Sequence, residues 1–191
     1  MLGDAAVFLI ATAGGLLAIA LLLRFYLQWA RAGYRNPVSQ FVNALTDFMV
    51  RPARRVIPGL WGLDLASPIL AWLVQYIELI LITLVKGTGS GATVTAMLGP
   101  LALMALVMVV KLALYMVMIV VIIQALLSWV NPYSPLSPLL NALARPFLRV
   151  FQRRIPPVGN VDLSPLFVII ACQLLLMLPV AYLETWLLRA P

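Results

Sequence analysis

The chain has 191 residues, 64% of them hydrophobic and only 10% charged, with a mean hydropathy of +1.06. Soluble domains carry about 25% charged residues, so the composition excludes an ordinary water-soluble globule and points to an integral membrane protein. A net charge of +7 with no histidine and a single cysteine, Cys172, excludes histidine acid–base catalysis, histidine-held metal or haem, and any intrachain disulfide or Cys-x-x-Cys motif.

No Lys or Arg precedes the first apolar stretch, about Ala5 to Trp29, so it reads as a retained span rather than a secretory signal. Arg24 and Gln28 interrupt it near its end, and Ala11 and Gly15 form a small-x-x-x-small pair suited to close helix packing. A polar loop runs from Arg31 to about Leu63. The second span, about Leu65 to Val85, contains Gln75 and Glu78 as its strongly polar residues. Lys86 and a Gly/Thr/Ser-rich run predict a short turn over 86–96. Met97 to Val130 would make a helix of roughly 51 Å, too long for a hydrocarbon core of about 30 Å; Gly99-Pro100 predicts a break, leaving a span from about Lys111 to Val130. A second polar loop covers 131–162, and a last span runs from Leu163 to about Leu188. The expected fold class is an all-α membrane protein of four transmembrane helices in two helix–loop–helix repeats, 1–85 and 97–191, joined by the turn at 86–96.

The first loop holds Arg31, Arg35, Arg51, Arg54 and Arg55, the second Arg145, Arg149, Arg153 and Arg154, and the turn between the repeats only Lys86. The positive-inside rule makes both loops cytoplasmic and both termini outside. Two repeats inserted in the same direction are related by a pseudo-two-fold axis along the membrane normal.

The repeats align at an offset of about 98 residues. Asn36-Pro37 matches Ser134-Pro135, Ser39 matches Ser137, Asn43 matches Asn141 and Arg51 matches Arg149. Arg54-Arg55 matches Arg153-Arg154 and Pro58 matches Pro157 one residue later in register. Asp64 matches Asp162 and Gln75 matches Gln173. Trp29 and Arg24 match Trp129 and Gln124 at an offset of about 100. Each loop contains an amphipathic helix. Val38, Phe41, Val42, Leu45, Phe48 and Met49 follow helical spacing in the first, with Ser39, Gln40, Asn43, Thr46 and Asp47 opposite. Leu136, Leu139, Leu140, Leu143 and Phe147 form the stripe in the second. Asn36 or Ser134 caps the helix with Pro37 or Pro135 at its first position, and Pro52 and Pro146 help to end it. Such helices belong in the membrane interface. Ser67-Pro68 and Ser164-Pro165 give the same start signal to the returning spans.

The doubled pattern Trp29 … Asn36-Pro37 … Arg54-Arg55-Val56-Ile57-Pro58 … Asp64 … Ser67-Pro68 resembles the YggT (YlmG) family of bacterial and plastid membrane proteins over almost the whole chain. The second copy departs from it by an extra residue, Gln152, before its Arg pair and one fewer after Pro157. The resemblance implies no catalytic activity and a place in the bacterial inner membrane. It also implies links to cell division and nucleoid distribution, to assembly of a plastid cytochrome complex, and to osmotic or ion tolerance.

The candidate site for anionic lipid or an acidic partner is Arg51, Arg54, Arg55, Arg149, Arg153 and Arg154, since guanidinium forks bind phosphate; the plainer reading is topology alone. Asp64 and Asp162 cap the following helices or pair with these arginines. The intramembrane polar set is Arg24, Gln75, Glu78, Lys111, Gln124 and Gln173. Arg24 is expected to snorkel to the interface, Gln75 and Gln173 to face each other or bond between helices, and Glu78 to pair with Lys111. Trp29, Trp61 and Trp129 read as interface anchors. The expected function is a non-enzymatic scaffold or assembly factor engaging anionic lipid and a membrane or cytoplasmic protein, compatible with a homo-oligomer. The alternative is a small transporter or channel component in ion or osmotic homeostasis, its path lined by the intramembrane polar set. No cofactor, metal or direct nucleic-acid contact is expected.

Overall fold

The computed structural model describes residues 2–32, 36–57, 59, 62–87, 91–154 and 162–189, with side chains described over the same ranges except 91–96 and 188–189. Arg35, Pro58, Trp61 and Pro157 lie outside the described residues. The elements are α1 (Leu2–Trp29), α2 (Pro37–Ala53), α3 (Ala66–Val85), α4 (Gly91–Val130), α5 (Ser137–Gln152), α6 (Ser164–Leu175) and α7 (Ala181–Arg189), with a π-helical turn at Leu176–Val180 joining the last two. Four stretches are long and apolar enough to cross a membrane: Leu2–Trp29, Ala66–Val85, Met97–Val130 and Ser164–Leu187. Leu9, Leu16, Ile77, Leu103, Ile119 and Leu174 point outward from them, as suits helices whose solvent is lipid.

Helix α1 ends in a Schellman turn. The Ala32 amide donates to the Leu27 carbonyl and the Arg31 amide to that of Gln28, both at 3.0 Å. Arg31 takes φ +52°, the left-handed position usually given to glycine, and Ala32 folds back into the core. Helix α2 starts as expected: the Asn36 side chain accepts from the Ser39 amide at 2.7 Å, with Pro37 in the first turn.

Helix α5 does not start at Ser134-Pro135. It begins at Ser137 with Pro138 in its first turn. A start at Pro135 would place Pro138 where the first intrahelical N–H is needed, and proline has none. Nor does Pro146 end α5, which runs on to Gln152 because Leu148 beyond it is buried in the core. Ser67 and Ser164 lie inside the first turns of α3 and α6 and make no side-chain cap. Asp162 caps α6 instead, accepting from the Ser164 amide at 2.9 Å, whereas the Asp64 carboxylate accepts from the Ser67 hydroxyl at 2.9 Å and only its backbone carbonyl meets the Ser67 amide, at 3.3 Å.

The predicted break at Gly99-Pro100 is absent. Helix α4 is continuous over 40 residues, starts inside the predicted 86–96 turn, and extends about 60 Å. Helix α3 braces it on both sides of the proline: Trp72 Nε1 donates to the Ala102 carbonyl at 2.9 Å and the Tyr76 hydroxyl to that of Leu98 at 3.2 Å. The helix break falls instead at Pro179, where the missing amide is accommodated by the π turn.

Helix α4 is central, packing on α1, α3, α5 and α6. The larger core joins Tyr26 and Leu27 of α1 to Val117 and Val121 of α4, Leu143 and Leu148 of α5, and Val168 and Cys172 of α6. The Tyr26 hydroxyl donates to the Leu143 carbonyl at 2.6 Å, tying α1 to the interfacial helix of the other half. A second core gathers Leu21, Val50, Ala71 and Val109.

Candidate functional site: a charge network at the loop end of the bundle

Arg24 does not snorkel. It lies about five residues, some 7–8 Å of helix, before the end of α1, and is only 5% exposed. Its Nη1 donates to Thr46 Oγ1 and Asp47 Oδ1 of α2, both at 2.8 Å, and its Nε lies 3.5 Å from Asp64 Oδ2. One turn further along α1, Gln28 Oε1 accepts from the Asp64 amide at 3.1 Å. Asp64 also receives Arg54 Nη2 at 2.7 Å, and Asp47 receives Arg51 Nη2 at 2.6 Å. Thr46 in turn donates to the Val42 carbonyl at 2.7 Å.

Helix α2 is therefore mounted on a mixed face of small polar residues and valines. Ser39, Val42, Thr46 and Val50 are buried, Thr46 against Arg24 of α1, while Phe41, Leu45 and Phe48 are exposed. An apolar stripe turned away from the protein is what an interfacial helix presents to lipid.

The electrostatics follow from the pairing. Hydrogen bonding from Arg24, opposed by burial and aided by Arg51, holds the Asp47 carboxyl below the usual carboxylate range. Burial pushes Asp64 up, but its bonds from Arg54 and Ser67 and the nearby Arg24 charge outweigh it, and the carboxyl also sits low. Both aspartates are thus held ionised, each against two of the network's three guanidinium groups. The network borders a cavity of about 670 Å³ lined by Arg24, Gln28, Asn43, Arg51, Arg54 and the two aspartates.

The second repeat has a version of this network without guanidinium groups. Gln124 donates to Asn141 Oδ1 at 3.1 Å, and Gln152 donates to Asp162 Oδ2 at 2.8 Å. The Arg54–Asp64 and Gln152–Asp162 pairs are each ten residues apart, so the counterpart of Arg54 by contact is Gln152, the extra residue of the sequence comparison, and not Arg153. Asp162 both caps α6 and sits low, its burial outweighed by bonds from Ser164 and Gln152. The residue aligned with Asp47 at the same offset is Arg145. The adjoining cavity shrinks to about 70 Å³. Arg145, Arg149, Arg153 and Arg154 are exposed and carry no ion pair among the described residues.

The sequence model of the CCB3/YggT family matches residues 3–85 and 103–183. The chain belongs to the CCB3/YggT family. It is 39% identical over 179 residues to an uncharacterised protein of Pseudomonas aeruginosa, covering 93% of this chain and 89% of that one. It is 33% identical over 164 residues to the uncharacterised protein YggT of Escherichia coli K12, covering 85% and 82% of the two chains. A Vibrio alginolyticus protein is 32% identical over 169 residues, covering 87% and 88%. No solved structure matches. None of these relatives is named for an enzymatic activity.

In this CCB3/YggT chain the other intramembrane polar residues do not converge. Glu78 pairs with Gln75 of its own helix, Nε2 to Oε2 at 2.5 Å, and not with Lys111. Lys111 bonds Glu184 of α7 at 2.7 Å, because the π turn carries the end of the last span back against α4. Gln75 is buried and Gln173 is exposed, so the two do not face each other across an axis. The close approach is at Gly14 rather than Gly15: a Cβ on Gly14 would collide with the Glu78 carboxylate, while one on Gly15 would meet nothing within 4 Å. Trp29 and Trp129 are exposed at the span ends, as anchors require. Sequence reasoning missed Asp47 and Thr46 as partners of Arg24. The signal was available, since a guanidinium inside an apolar span needs an acid, and the first loop offers few.

Proposed function

We propose that this chain is a non-enzymatic scaffold of the bacterial cytoplasmic membrane whose loop face, on the cytoplasmic side with both termini outside, engages anionic lipid and an acidic protein surface. The supporting observation is the difference between the two loops. Arg24, Arg51 and Arg54 are engaged by Asp47 and Asp64 and hold α2 in place. The arginines of α5 and its end have no such partners among the described residues and are exposed. Arg55, Arg153 and Arg154 then supply the charge that meets lipid phosphates or acidic side chains, beside the exposed stripe Phe41, Leu45 and Phe48.

The test replaces Arg55, Arg153 and Arg154 with Gln in the full chain. The expected result is reduced enrichment of phosphatidylglycerol around the reconstituted protein and loss of specific crosslinks from the loop face in native membranes. Enrichment and crosslinks that both persist unchanged refute the scaffold reading. The transporter alternative has less support, because Gln75–Glu78, Lys111–Glu184 and the outward Gln173 do not share one path.

A further inference from the structure

The groove between the end of α1 and α5 has a volume of about 460 Å³ and is lined by Trp29, Arg31, Arg145, Pro146 and Arg149. Among the described residues three guanidinium groups line it and no carboxylate does. None of the three has an ion pair among the described residues, in contrast to the paired network around Arg24. Arg145 and Arg149 stand four residues apart on one helix, where like charges repel. Arg31 occupies the left-handed position of the Schellman turn at φ +52°, where glycine would sit without strain. The clustered, unpaired charges disfavour the isolated protein, and an anion in the groove relieves them.

The position of the groove argues for what that anion is. Trp29 closes a membrane-spanning helix and is 43% exposed, the interfacial depth at which headgroups lie. Its ring meets that of Phe147 with centroids 5.8 Å apart, an aromatic wall beside the charged lining. We propose that the groove is a binding site for an anionic phospholipid, with the phosphodiester held by Arg31, Arg145 and Arg149 and the chains descending past Trp29 and Phe147. Guanidinium forks suit a phosphate's oxygens better than an ammonium does. The site lies at the seam between the halves, so a bound lipid braces α1 against α5. This deepens the lipid half of the proposed function and rests on it, but assigns the contact to residues distinct from Arg55, Arg153 and Arg154.

The test reconstitutes the full chain in nanodiscs of equal phosphatidylcholine and phosphatidylglycerol and counts lipids retained on release by native mass spectrometry. Arg31→Gly and Arg145→Gln/Arg149→Gln are compared with wild type and with Arg55→Gln/Arg153→Gln/Arg154→Gln. Retained phosphatidylglycerol should fall about fivefold for each groove arginine removed. Arg31→Gly separates binding from folding: glycine fits the turn, so its thermal midpoint in detergent should not fall while its lipid retention does. Retention unchanged in the groove variants but lost in the Arg55/Arg153/Arg154 variant overturns the groove and leaves the broader reading intact. Retention unchanged in all variants overturns both. Inorganic phosphate or glycerol phosphate displacing the lipid at comparable concentration overturns the assignment to a membrane lipid in favour of a soluble phosphate ligand.

Discussion

At the scale of single residues, Arg24 shows how a buried charge is tolerated. Its side chain is 6% exposed and that of Asp64 3%, so removing one partner leaves the others ionised and desolvated. Arg24→Leu should destabilise the chain by roughly 3 kcal/mol, read as a lower unfolding midpoint in detergent. Arg24→Leu with Asp47→Asn and Asp64→Asn should recover part of that loss. Asp47 and Asp64 also set a pH dependence. Their folded-state pKa values are lowered, so the stability they contribute is complete above the unfolded value of about 3.9 and is lost as pH falls through the folded values. Acid titration from pH 5 downward should therefore show a loss of thermal stability that Asp64→Asn flattens. The serines offer a paired comparison. Ser67 donates to Asp64, whereas the fully buried Ser164 hydroxyl has no partner among the described residues. Ser67→Ala should cost about 1–2 kcal/mol and Ser164→Ala close to nothing; equal effects would contradict this account of the two turns.

At the scale of elements, periodicity made the helices legible and could not show which side of each faces the protein. The stripe Phe41, Leu45, Phe48 identifies α2 as amphipathic, but α2 turns that stripe outward and buries Thr46 against Arg24, an arrangement visible only once the buried guanidinium has chosen its acid. Likewise Gly99-Pro100 carries a local break signal that Trp72 and Tyr76 override from a different helix, while Pro179 lies unremarked in an apolar run and makes the actual interruption. Glu78 and Lys111 illustrate the same limit: the need for partners follows from burial, but the π turn decides that Lys111 meets Glu184. The α1–α3 contact at Gly14 gives a test. Gly14→Ala should displace the Glu78 carboxylate and break its bond with Gln75, lowering stability by roughly 1 kcal/mol. Glu78→Ala should relieve the clash, so the double variant is less destabilised than the sum of the singles. Additive effects would place Gly14 and Glu78 apart.

At the scale of the whole molecule, the duplication was readable from matched residues, but its divergence was not, because an offset reports identity rather than contact. Counting Arg54-Arg55 against Arg153-Arg154 matches like with like, whereas the structure gives the role of Arg54 to Gln152. With Arg24 matched by Gln124 and Asp47 by Arg145, one half holds a paired charge network and the other an amide-based one around Asp162 plus outward arginines. That divergence makes a prediction about the pair of halves. Gln124→Arg alone places a guanidinium opposite Asn141 with Arg145 four residues further along α5, and should destabilise by roughly 2 kcal/mol or more. Adding Arg145→Asp supplies the acid that Asp47 supplies to Arg24, and the coupling in a double-mutant cycle should exceed about 1 kcal/mol in the stabilising direction. The same double variant removes a guanidinium from the Trp29–Arg149 groove and introduces a carboxylate, so it should regain thermal stability while losing retained phosphatidylglycerol. If stability and lipid retention instead rise and fall together across the four proteins, the second half's open arginines serve the fold, and its departure from the first half has no bearing on the membrane it faces.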